Sequence, residues 1–161
     1  MRTPDQTGPI ELVLPDPAAT DRLGRRLAAV ARPRDLIALG GTLGMGKTAF
    51  ARAFIRRLGH PEEEVPSPTF TLVQGYDTGA GTIWHFDLYR LGRPDDVWEL
   101  GFEDALADGI LLIEWPERLG PFLPARRLDL TLAAGATPES RHARLEACGG
   151  SDLLDRLAAQ A

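Results

Sequence analysis

The sequence predicts an α/β fold in which helices cover both sides of a mixed central sheet, giving three layers. Two short apolar runs without polar alternation, Asp35 to Gly40 and Gly109 to Glu114, read as strands buried on both faces. A glycine-rich loop follows the first run directly and opens into an amphipathic helix. The order strand, helix, strand, loop, helix, and then further strands, is that of a layered sheet.

In chain order, Ile10 to Leu14 is short and apolar and stops at Pro15, as a strand does. Thr20 or Asp21 can cap a helix that runs to Val30, with Leu23, Leu27 and Val30 on one face. The helix after the glycine loop spans Thr48 to Leu58. Phe50, Phe54 and Leu58 point inward, Arg52, Arg56 and Arg57 mostly outward, and Gly59 ends it. Pro61 to Pro68 holds three prolines and three consecutive glutamates, which suits no regular structure. Thr69 to Gln74 and Thr82 to Leu88 read as a hairpin turning over Asp77 to Gly81. Pro94 to Leu100 opens a short helix with Asp95 and Asp96 in its first turn, where they match the helix dipole. Leu128 to Leu132 and His142 to Cys148 read as late strands, and Asp152 to Ala159 as a closing helix.

Gly41-Thr42-Leu43-Gly44-Met45-Gly46-Lys47-Thr48 satisfies G-x-x-x-x-G-K-[ST] in full. Such glycines let successive backbone N–H groups converge on a phosphate, while Lys47 reaches the β and γ oxygens and the Thr48 hydroxyl takes a place on Mg²⁺. Gly41, Leu43, Gly44, Met45, Gly46, Lys47, Thr48 and Ala49 are therefore the expected ATP-binding stretch. The fold expected is P-loop NTPase-like: one ATPase domain over 1–161, with 1–9 and 150–161 peripheral.

Lys47 is the one lysine of the chain; the other 17 of its 18 basic residues are arginine. A usual GTPase needs a further lysine in its guanine-reading motif, and a protein kinase needs a strand lysine apart from its glycine loop. Both classes are excluded. Arginine is a planar fork whereas lysine is a compact ammonium that fits a tight phosphate cradle. The 17 arginines are thus expected to be dispensable to the cradle.

A nucleotidase of this kind also needs a carboxylate at a strand end to hold Mg²⁺ and a group to orient the attacking water. Glu114 ends the run Ile110 to Ile113, and Asp87 ends Ile83 to Phe86; these two are the candidate catalytic acids, with Thr48 and Glu114 on the metal. At strand spacing His85 and Asp87 share one face, and Trp84 and Phe86 the other. His85-x-Asp87 also reads as part of a metal pair, although His60 and His142 lie in unrelated contexts. Ser67 and Thr69 flank Pro68 and suit either a switch that approaches the γ-phosphate or a stiffened loop capped by hydroxyls. Trp115 is expected on the face opposite Glu114, lining the nucleotide site or packing in the core.

One cysteine, Cys148, excludes an intrachain disulfide and a multi-cysteine zinc site. No run approaches the ~18 to 20 apolar residues of a membrane span. Met1 to Gln6 lacks the apolar centre of a signal peptide, so a cytoplasmic location is expected. A net charge of −5 argues against a broad nucleic-acid surface.

Four segments in this order, Gly41 to Thr48, Ser-Pro-Thr-Phe-Thr-Leu (67–72), His-Phe-Asp-Leu-Tyr-Arg-Leu (85–91) and Glu-Trp-Pro-Glu-Arg-Leu-Gly (114–120), resemble the bacterial TsaE family, formerly called YjeE. The likeness spans roughly residues 10–148. It implies an ATPase required for N6-threonylcarbamoyladenosine (t6A) at position 37 of tRNA, docking on the TsaB–TsaD heterodimer and supporting multiple turnover. Contact with tRNA would be indirect and hydrolysis weak without the partners. By position, Lys47 and Thr48 would bind phosphate and Mg²⁺, Glu114 would be the second Mg²⁺-linked acid, Asp87 an acid needed for hydrolysis, and Trp115 a neighbour of the nucleotide. The chain departs from the usual family loop at Thr42, where Asp is common, and at Met45, where a smaller residue is common. A small-molecule kinase is the alternative, but Arg90, Arg93 and Arg118 are scattered and form no basic lid. A nucleotide-bound assembly switch without turnover is a third.

Overall fold

The structure, a computed structural model, describes residues 8–160. Met1 to Thr7 lie outside the described residues. They include the stretch read as lacking a signal peptide and most of the segment 1–9 expected at the periphery.

The elements in order are β1 (Ile10–Leu14), α1 (Pro17–Val30), β2 (Leu36–Gly40), α2 (Lys47–Leu58), β3 (Val73–Thr78), β4 (Gly81–Asp87), a 3₁₀ helix (Pro94–Leu100), α3 (Phe102–Asp108), β5 (Ile110–Glu114), a second 3₁₀ segment (Pro116–Phe122), β6 (Arg127–Ala134), β7 (Arg141–Cys148) and α4 (Leu153–Ala159). The strands form a seven-stranded sheet in the order β1-β7-β6-β2-β5-β4-β3. β2 runs parallel to β5 and β6, and β5 parallel to β4; the pairs β1–β7, β6–β7 and β3–β4 are antiparallel. The sheet is mixed, as expected. No helix among the described residues is long and apolar enough to cross a membrane.

The central strands are buried on both faces and alternate between two cores. Ile37, Leu39, Ile110 and Leu112 join Leu23, Leu27, Phe50 and Phe54 of α1 and α2. Leu36, Ala38, Leu111 and Ile113 join Val97, Phe102, Ala105 and Leu119 on the opposite face. These are the three layers. α1 and α2 approach closely at Gly24, where a Cβ would stand 2.9 Å from the Phe50 carbonyl oxygen.

Several expectations are corrected. α1 starts at Pro17, not after Thr20: Asp16 is extended and accepts the Ala19 N–H at 2.9 Å, and proline at the first helical position needs no N–H partner. Thr69 to Thr71 are turn, and β3 begins only at Val73, because Leu72 has φ 68 and breaks the extended chain. The hairpin turns at Gly79-Ala80, inside the expected Asp77 to Gly81, where the Thr78 hydroxyl donates to the Gly81 carbonyl at 2.6 Å and accepts the Ala80 N–H at 3.2 Å. Of the segment 150–161 expected at the periphery, the described part up to Gln160 carries Leu153, Leu154 and Leu157 of α4 into the larger core.

Arg156 of α4 also covers the entry to β2. Its Nη2 lies 2.7 Å from Oδ1 of buried Asp35, and its Nη1 donates to the Val30 carbonyl. Asp35 in turn accepts the Arg32 N–H at 2.7 Å. Removing one partner of a buried pair leaves an uncompensated charge, so Arg156→Met is expected to destabilise the protein by about 3 kcal/mol. The shift of the urea midpoint measures this, and a wild-type midpoint contradicts it.

Candidate nucleotide site

Three adjacent parallel strands, β2, β5 and β4, end on the same edge of the sheet, and their next residues build one cleft. Ligands of open α/β sheets sit outside such carboxyl ends. β2 delivers the glycine loop. Gly41, Gly44 and Gly46 have φ of 125°, 82° and 103°, and a Cβ on Gly41 would run into the Leu132 carbonyl. Only glycine allows this path, which sets Gly46 as the left-handed cap of α2.

Strand parity places the acids. Glu114 continues the Ile110–Leu112 series and so faces α2; Asp87 continues the Ile83–His85 series on the same side. The register pairs Asp87 with Glu114 on neighbouring strands. Both are buried, at 4% and 2% exposure. The Thr48 hydroxyl, one residue into α2, lies 3.0 Å and 3.1 Å from the two Glu114 carboxylate oxygens.

Lys47 is buried, with Nζ donating to the Gly41 carbonyl at 2.6 Å and lying 3.4 Å from the centre of the Trp115 ring. Burial pushes this ammonium below its usual pKa, while Glu114, Glu117 and Asp87 pull it back upward. Trp115 does not continue the strand. Its φ of 60° ends β5, yet the side chain keeps the expected face opposite Glu114, where it packs against the smaller core. From there the ring also lines the cleft, meets Lys47 and packs against Tyr89 at 5.0 Å between ring centres.

Ser67 and Thr69 are drawn to Asp87. The Thr69 hydroxyl lies 3.0 Å from Asp87 Oδ2 and that of Ser67 3.4 Å from the same oxygen, while the Tyr89 N–H donates to Oδ1 at 3.1 Å.

The resulting cleft, about 300 Å³, is lined by Leu43, Gly44, Gly46, Lys47, Thr48, Ala49, Ser67, Thr69, Asp87, Glu114 and Trp115. Of the residues expected from the sequence, Gly41 and Met45 do not line it. Gly41 holds Lys47 through its carbonyl, and Met45 turns its side chain to the larger core.

One residue escaped the sequence reading, and a second has a different contact from the one read for it. Arg141, at the start of β7, donates from Nε to the Met45 carbonyl at 3.2 Å and from Nη2 to that of Gly44 at 3.4 Å. An arginine therefore braces the cradle from behind, against the expectation that all 17 are dispensable to it; nothing local in the sequence signals a contact across 96 residues. His85, which in the sequence also reads as part of a metal pair, instead contacts Glu114 at 2.6 Å. The shared strand face was the available signal.

The donor set fits a nucleotide with Mg²⁺. Thr48 and Glu114 supply hard oxygen donors side by side, and Lys47 and the loop N–H groups supply positive charge. Among the described residues no three His, Cys, Asp or Glu side chains gather to hold a metal. Mg²⁺ usually takes one or two protein oxygens and completes its shell with phosphate and water.

Comparison with known proteins gives the family and the fold. The family model described as "Threonylcarbamoyl adenosine biosynthesis protein TsaE" matches residues 14–143. The Rickettsia felis tRNA threonylcarbamoyladenosine biosynthesis protein TsaE is 40% identical over 121 residues, covering 75% of this chain and 71% of that protein. The Bacillus subtilis protein of the same name is 34% identical over 125 residues, 77% of each chain. Among solved structures, Bacillus subtilis YdiB superposes with a TM-score of 0.77 at 27% identity, covering 96% of this chain and 97% of that one. With its loop, acids and sheet order already in place, the chain belongs to the TsaE family of tRNA threonylcarbamoyladenosine biosynthesis.

Proposed function

We propose that this chain is a single-domain, cytoplasmic ATPase that binds ATP with Mg²⁺, acts on the TsaB–TsaD heterodimer, and supports repeated turnover in t6A formation while meeting tRNA only through those partners. The observation that carries the reading is the Thr48–Glu114 contact of 3.0 Å inside the glycine loop's cradle, with Asp87 paired beside it.

Phosphoryl transfer to water asks little covalent chemistry of a protein; positioning and charge do most of the work. The loop N–H groups and Lys47 would hold the β and γ phosphates. Thr48 and Glu114 would hold Mg²⁺ from the protein side, and the ion would supply charge neutralisation on the transferred group. Asp87 is the remaining acid in the cleft and is the group to orient and deprotonate water. Because Thr69 and Ser67 hydrogen-bond Asp87, the 61–72 segment and this acid respond together to what occupies the cleft.

Dependence on partners is supported by two exposed apolar side chains, Leu43 in the cleft lining and Phe70 next in the chain to the lining residue Thr69. Leu43 is 74% exposed and Phe70 is 81% exposed, and Phe70 is covered on one face by the Arg90 guanidinium at 4.6 Å. Exposed apolar groups beside a site suit an incoming protein surface.

The test is reconstituted t6A formation over many turnovers, with and without this chain, together with ATP hydrolysis. Hydrolysis is expected to be weak alone and to rise when TsaB and TsaD are added; robust hydrolysis indifferent to them overturns the reading. Glu114→Gln and Asp87→Asn are expected to bind ATP yet hydrolyse it roughly 10²-fold more slowly or worse. If these variants still sustain many rounds of modification, a non-hydrolytic switch is the better account. Lys47→Arg, which keeps the charge, is expected to weaken ATP binding tenfold or more, about 1.4 kcal/mol, by calorimetry.

A further inference from the structure

We propose that His85 is a positioning residue that holds the Glu114 carboxylate toward Thr48 and thereby sets how strongly Mg²⁺ supports nucleotide binding; the role rests on the ATPase reading above. The imidazole is fully buried on the β4 face it shares with Asp87, and its Nε2 lies 2.6 Å from Glu114 Oε2. Register explains the contact. His85 pairs with Leu112, two residues before Glu114, so the ring reaches the carboxylate diagonally across the β4–β5 ladder. A carboxylate accepts, so Nε2 carries the proton and donates it.

The other ring nitrogen separates positioning from space-filling. Nδ1 is buried and has no hydrogen-bond partner among the described residues. Glu114 is thus the ring's one polar anchor there. A side chain needed only to fill this place would be apolar, as Phe86 and Ile83 are on the same strand, and would strand no nitrogen. Glu114 is gripped from two sides, by the Thr48 hydroxyl and by His85. Outer hydrogen bonds of this kind orient a metal-binding carboxylate and govern its affinity.

Three substitutions separate the roles. Glutamine can place its amide N–H where Nε2 stands; asparagine is too short to reach Glu114, and leucine fills space without donating. The probe is a fluorescent ADP analogue, its affinity measured without Mg²⁺ and across a Mg²⁺ titration, with a thermal melt for each variant and kcat and KM in the presence of TsaB–TsaD. In His85→Leu and His85→Asn, the Mg²⁺ concentration giving half its effect on binding is expected to rise about 10- to 100-fold, while Mg²⁺-free affinity changes less than about twofold. His85→Gln is expected to return the Mg²⁺ response to within about threefold of wild type.

The proposal is overturned if His85→Leu keeps the wild-type Mg²⁺ response, if His85→Gln behaves like His85→Leu, if all three lose Mg²⁺-free binding and melt early, or if wild-type affinity ignores Mg²⁺. A wild-type chain that binds nucleotide in a Mg²⁺- and His85-dependent way but never hydrolyses it defeats the ATPase reading and leaves the positioning role standing.

Discussion

All five residues of β5 are buried, and the four apolar ones divide alternately between two cores. Because side chains repeat every two residues, a slip of one position would carry Leu111 and Ile113 into the helix α1–α2 side and turn Glu114 away from it. Burial on both faces makes that slip costly in both layers at once. The strand's register is therefore held by apolar packing over its whole length, and the acid at its end inherits the placement. β4 is aligned on β5, so Asp87 comes to rest beside Glu114 for the same reason. The chemistry at the sheet edge is positioned by residues that take no part in it.

The glycine loop meets this edge under a second constraint. Its path past Leu132 is closed to any side chain at Gly41, and Gly46 starts α2 in a left-handed conformation. Those two turns bring Lys47 under Trp115 and Thr48 against Glu114. One buried cation then faces three acids, of which Glu114 and Asp87 are themselves buried. Their field opposes the desolvation of the lysine, which remains the larger effect and holds the ammonium below its usual pKa. The hydroxyls of Ser67 and Thr69 share Asp87, so the irregular segment after α2 is tied into the same polar cluster rather than lying free over it.

Most strands were legible in the chain because a strand buried twice must be apolar throughout, and Asp35 to Gly40 and Gly109 to Glu114 have no other reading at that length. The elements misplaced or missed share a different cause. α1 starts ahead of Thr20 and Asp21, where the sequence places its cap, because Asp16 accepts the Ala19 N–H and Pro17 opens the first turn, a cap that the apolar period further along does not mark. β3 begins late because Leu72 takes a torsion that its side chain does not advertise. α3 is seven residues between Gly101 and Gly109, too short to show a period, and is helical because Phe102 and Ala105 pack into the smaller core. α4 carries its leucines into the larger core although its position at the end of the chain suggested a margin.

Within the site, the sequence by itself determined the phosphate loop, its lysine and hydroxyl, and the parity that puts His85 and Asp87 on one face, since these follow from spacing along one segment. The tertiary structure alone decided that His85 reaches Glu114, that Arg141 braces the loop, and that Trp115 meets Lys47. The first two are contacts between strands or across the sheet, set by register and by packing that no local pattern encodes. The third joins a side chain packed on the smaller core to a lysine delivered by another segment, at the residue whose backbone torsion ends β5.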